Sequence, residues 1–130
     1  MDALDLGLDA TAWFIARQPA IIRFLEHRFG PDSHAFGVAV MRSAVMDAML
    51  RKFYQNVPRV FHGALERAEH YILEESADED LMDRHPSMVE MCSAVADEPF
   101  EEASRVAFAL LTILYALDEA VSRRAARIAT

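Results

Sequence analysis

The chain has 130 residues with four glycines, five prolines and a single cysteine. That is length enough to bury its own core, too few turn formers for an all-β chain, and no basis for an intrachain disulfide or a thiolate-rich zinc site. The net charge of −8 is concentrated: Glu74 to Glu102 holds 11 acidic residues and one arginine, a local −10, and the remaining 10 acids and 12 bases give +2. This balance excludes sequence-independent nucleic-acid binding, which needs clustered Lys and Arg, and favours a basic protein partner.

Residues Met1 to Ala10 carry Asp2, Asp5 and Asp9 and no positive charge, the reverse of an export signal. The expectation is one cytoplasmic domain over residues 1–130. A first helix is predicted over about Thr11 to Phe29, capped by Asp9 or Thr11 and ended by Gly30-Pro31. Phe14, Ile15, Gln18, Ile21, Ile22, Leu25 and Phe29 keep one helical phase across Pro19, which predicts a kink there. A second helix, about Ser33 to Tyr54, has apolar residues all round its axis, from Phe36 and Val38 to Met49 and Phe53, and so reads as central.

Asn56-Val57-Pro58 reads as a helix start, with Val60, Phe61, Ala64, Leu65, Ala68, Tyr71 and Ile72 forming the apolar stripe of a third helix. Ser76 to His85 reads as an acidic, irregular segment holding at most one helical turn. Pro86 and a capping-box pattern at Ser87 and Glu90 then start a short helix to about Ala96. Asp97 and Pro99 open the last and longest helix. Val106, Leu110, Ile113, Leu114, Leu117 and Val121 lie on one side of it, and Phe108, Thr112 and Tyr115 on the other. Its uncharged run, Val106 to Leu117, is 12 residues, short of the roughly 20 that cross a bilayer. The predicted fold is therefore an all-α bundle of about five helices, four main and one short, with two central apolar helices and no membrane association.

His62, Glu66 and His70 recur every four residues, a spacing that stacks two imidazoles and a carboxylate on one strip suited to a divalent transition metal. The same strip lies nearly opposite the apolar stripe, where it simply meets water. The pattern does not extend to the carboxylate-bridged di-iron bundles, because no Glu here has a His three residues after it. His62, His70 and His85 are the axial-ligand candidates for haem.

Arg42 and Asp47 are candidate buried polar residues, with Ser43, Asp47 and Arg51 forming a polar seam on the second helix. A helical Asp47–Arg51 pair is the plainer reading. Cys92 falls on the apolar phase beside Met88 and Val95, which assigns it to packing. The run Glu74, Glu75, Asp78, Glu79, Asp80 and Asp83 lacks the glycine and spacing of an EF-hand loop and reads as an acidic docking surface.

The leading expectation is a non-catalytic interaction module, a homodimeric regulator or adaptor. Phe108, Thr112 and Tyr115 are its interface, the acidic run is its docking surface, and it needs no cofactor. The alternative is a metal- or haem-binding bundle using His62, Glu66 and His70. A small enzyme is third, with Asp47 as the only candidate for a perturbed acid.

Overall fold

Proline places the first break in the chain. The residue before a proline is pushed out of the helical region, whereas proline itself fits the first turn of a helix. In the computed structural model, which describes residues 3–54, 56–73 and 77–129 and the side chains of 10–54, 56–73 and 81–123, this rule operates twice. Helix α1 (Ala3–Arg17) ends at Gln18, at φ −126° and ψ 62°, and α2 (Pro19–Phe29) restarts at once.

The predicted kink is thus a full break, and the first helix begins at Ala3, with Asp9 and Thr11 inside it rather than capping it. The break leaves little unsatisfied. The Gln18 amide still donates to the Phe14 carbonyl at 2.9 Å, and its carbonyl accepts from Ile22 at 3.3 Å. Because the phase carries through, Phe14, Ile21, Leu25 and Phe29 all reach the core, while Ile15 stays exposed.

Gly30, at φ 77°, ends α2 in a conformation that costs glycine little. The Ser33 hydroxyl then accepts from the Phe36 amide at 3.1 Å and caps α3 (His34–Tyr54). A non-helical strap over residues 56–61 leads to α4 (His62–Leu73), which starts five residues after Val57. The acidic segment forms two turns of helix, α5 (Ala77–Arg84), more than its composition suggests.

At His85, φ −137° and ψ 59°, the first break is repeated, and Pro86 opens α6 (Pro86–Ala94). His85 takes the cap position with no side-chain bond to the helix, so the capping box at Ser87 and Glu90 is not formed: proline has moved the start upstream of Ser87. A single 3₁₀ turn, Val95–Asp97, precedes α7 (Ala103–Ala129).

Among the described residues seven α-helices are joined by one core, and there is no strand. Helix α7 is its axis, packing on α3, α4 and α6, while α3 packs on α1, α2 and α7. Leu110, Ile113, Leu114 and Leu117 are fully enclosed. Truncating such a leucine typically costs about 2–5 kcal/mol. Helix α7 is central as expected, but α3 is two-sided. Ala39, Ser43, Met46 and Leu50 face the core, whereas Met41 remains 62% exposed and Phe53 76%. No helix among the described residues is long and apolar enough to cross a membrane.

Candidate functional site

Both residues at which a proline breaks one helix and opens the next are polar and buried, and each spends its side chain on a distant segment. Gln18 is 1% exposed. Its Nε2 donates to the Pro58 carbonyl at 3.0 Å, and its Oε1 accepts from the Val60 amide at 2.8 Å. One amide side chain thereby satisfies two backbone groups of the strap, and Arg59 Nε donates to the Arg17 carbonyl beside them at 3.3 Å. These bonds tie down residues 58–61, which are not helical, and α4 starts only at His62.

His85 performs the equivalent task between α6 and α7. Its Nε2 lies 2.8 Å from Asp118 Oδ1, with both side chains buried. Arg84 grips the same carboxylate from outside, Nη2 to Oδ2 at 2.6 Å and Nε to Oδ1 at 3.3 Å. A hydrogen bond from His85 to a carboxylate oxygen uses the proton-bearing ring nitrogen as donor, and the forked guanidinium of Arg84 meets both oxygens. Next to this cluster Tyr115 stacks on Tyr71, ring centroids 5.0 Å apart. Burial, then the nearby Glu119 carboxylate, pushes the Tyr115 hydroxyl above the ordinary tyrosine range.

Comparison with known protein families, curated proteins and solved structures returns no match for this chain.

His62, Glu66 and His70 occupy successive turns of the exposed side of α4. His62 Nε2 lies 3.3 Å from Glu66 Oε1, with both side chains more than 60% exposed. Nowhere among the described residues do three or more histidine, cysteine or acidic side chains converge as metal ligands do. His85 has its Nε2 committed to Asp118.

Asp47 is buried and pairs with Arg51 at 3.0 Å along α3, so the burial and the helical pair are features of one contact. Burial holds the Asp47 carboxyl above the usual carboxylate range, and the Arg51 charge offsets this only in part. Ser43 of the same seam is fully enclosed. Arg42 is half-exposed and reaches Glu98 at 2.9 Å. Cys92 is packed against Met46, sulfur to sulfur 3.4 Å, and burial pushes its thiol up to about 12.

Of the three residues expected at an interface, Phe108 and Tyr115 are half-buried against the core. Thr112 is fully enclosed, its hydroxyl donating to the Phe108 carbonyl at 3.1 Å, so it presents nothing to a partner. Within the acidic run, Asp83 is exposed. Glu74 and Glu75 lie outside the described residues, as do the side chains of Asp78, Glu79 and Asp80.

What sequence reasoning missed is the pair of polar clamps, Gln18 with the strap and Asp118 with Arg84 and His85. A signal existed for each. Gln18 and His85 both precede proline, and Asp118 sits in the apolar phase of α7 between Leu114 and Val121. A buried carboxylate at such a position requires a partner.

The outward side of α3 is the other candidate. Val38, Met41, Val45 and Ala48 follow a three-four spacing that makes one straight stripe along a helix, closed at its ends by His34 and Lys52. Met41 and Val45 are 62% and 43% exposed, whereas Val38 and Ala48 are partly buried, Val38 against the core. Beside them, Thr11, Val38, Met41, Arg42, Val45 and Glu98 line a shallow depression of about 230 Å³.

Proposed function

We propose that this chain is a non-catalytic helical interaction module, a small regulator or adaptor that pairs with a second copy of itself and offers an acidic surface to a basic protein. The observation that carries this reading is the apolar stripe on the solvent side of α3. Helices whose apolar residues alternate three and four apart pack on an identical helix at about 20°, each side chain entering a gap between those of the partner. The two-fold arrangement uses the same stripe twice, so one exposed face suffices. The depression between α1 and α3 supplies a gap for Met41 of the second copy, with the Arg42–Glu98 pair at its edge. Met41 and Val45 are 62% and 43% exposed, so on pairing each can gain about half of the roughly 1.5–3 kcal/mol of full side-chain burial.

The acidic part of the proposal leans on Asp83, Glu90, Asp97 and Glu101, all exposed. The test is light scattering at tens of micromolar, on the wild type and on a Met41→Glu, Val45→Glu variant. The expected result is a wild-type mass near twice the 14.6 kDa of the chain, and a monomeric variant with an unchanged helical spectrum. A monomeric wild type removes the dimer. Failure to retain an oligolysine peptide at low salt removes the acidic docking surface.

A further inference from the structure

The acidic balance of the chain conceals a cationic face. Two hollows of about 440 and 480 Å³ lie on either side of the strap and share Arg59, Val60 and Phe61 as the ridge between them. Arg67, Arg123 and Glu119 line the first. Arg23, His27 and His62 line the second. Four guanidinium groups line the hollows with one carboxylate, and a second carboxylate, Glu66, stands 3.3 Å from His62 at the rim, which leaves a surplus of two positive charges with the histidines neutral.

Glu119 is already engaged by Arg123 at 2.6 Å and, at 3.9 Å, by Arg67. On the ridge Phe61 is 69% exposed, although the segment carrying it is fixed from below by the buried Gln18 amide. A large apolar side chain held out in water by a rigid mount, with arginines to either side, is a pre-organised anchor: little order remains to be lost on binding.

We infer that this face binds an acidic peptide segment, whose carboxylates pair with Arg59, Arg67 and Arg123 while one of its apolar side chains packs on Phe61. Forked guanidinium groups match carboxylates in geometry as well as charge. The surplus is small and local, which suits about two carboxylates. A nucleic-acid strand would meet the repulsion of the remaining net charge of the protein. None of the arginines or Phe61 belongs to the α3 stripe, so the site is independent of self-pairing.

The experiment is fluorescence anisotropy with a labelled decapeptide of aspartate and glutamate carrying one central leucine. A peptide with lysine in place of the acids and a single-stranded DNA 20-mer serve as comparisons. The acidic peptide is expected to bind in a salt-sensitive way. Arg67→Glu with Arg123→Glu should weaken it by about tenfold or more, and Phe61→Ser by a smaller factor. Met41→Glu with Val45→Glu should leave it unchanged.

Matching thermal melts establish that the variants fold, and Arg67→Gln alone, at an exposed position, gives the same direction if the double charge reversal does not. The inference is overturned if the acidic peptide binds no tighter than the lysine peptide, if the substitutions leave its affinity unaltered, or if the DNA strand binds more tightly.

Discussion

Replacing Gln18 by methionine keeps the length and most of the volume of the side chain while deleting both of its bonds to the strap. The Val60 amide, whose bond to Oε1 is buried, loses its acceptor, and the Pro58 carbonyl loses a donor in a partly buried setting. A stranded buried donor costs about 1–3 kcal/mol, and a neutral hydrogen bond at a partly wet site nearer 1, so the variant should lose about 2–4 kcal/mol. For a chain of this size that corresponds to a drop in Tm of about 6–15 °C. Urea unfolding followed by circular dichroism reads the loss as a lower midpoint at unchanged slope. Trypsin gives a local readout, because Arg59 lies in the strap: cleavage after Arg59 should accelerate in the variant under native conditions. A loss below about 0.5 kcal/mol together with unchanged cleavage would refute the assignment of Gln18 as the clamp.

Three further outcomes are expected. The raised Asp47 carboxyl means that the folded state binds more protons than the unfolded one above the ordinary value of 3.8. The contribution of Asp47 to stability is therefore fully present below that pH and is lost as pH rises through the folded-state value. Asp47→Asn, which keeps an acceptor for Arg51, should be at least as stable as the wild type at pH 7, the gap closing toward pH 4 in paired urea titrations. A gap that widens on acidification would contradict the burial argument. Native Cys92, its thiol pushed up to about 12, should resist iodoacetamide at pH 8 and react once urea unfolds the chain, as followed by mass spectrometry. Asp118→Ala should cost about 2–4 kcal/mol in the same unfolding assay by leaving His85 buried without its acceptor, and Asp118→Asn clearly less.

The helical class and most of the core were legible because they rest on local periodicity. The phase of Phe14, Ile21, Leu25 and Phe29, and that of Leu110, Ile113, Leu114 and Leu117, is set within each segment, and all eight side chains are buried. Boundaries were legible where a local signal acts alone, as with Gly30 and Ser33 between α2 and α3. They were misread where a distant contact competes. Val57-Pro58 can start a helix, yet the Gln18 side chain, 40 residues away, binds the Pro58 carbonyl, and the segment is not helical. The sidedness of α3 was misread for a related reason. Composition shows an apolar residue at almost every angle round the axis, but whether Met41 and Val45 face a neighbour depends on where α1 and α7 dock.

The two breaks show how a sequence could reveal such contacts. A helix interrupted by proline can bury the residue before it only if that residue is apolar or has a partner elsewhere. At Gln18 and His85 the chain places polar groups in that position, and both lie under 10% exposed. Desolvating an unpaired amide or imidazole costs several kcal/mol, too much for a fold with a typical margin of about 5–15 kcal/mol. A polar residue ahead of a proline, in phase with the core, therefore implies a second segment shaped to receive it. Here that segment is the strap for Gln18 and Asp118 of α7 for His85. Reading the partner from sequence requires a second polar residue in an apolar phase, and Asp118 meets that condition. The strap does not, since it answers with backbone groups that every residue carries. This difference explains why the His85 contact could have been inferred from residue types and the Gln18 contact could not.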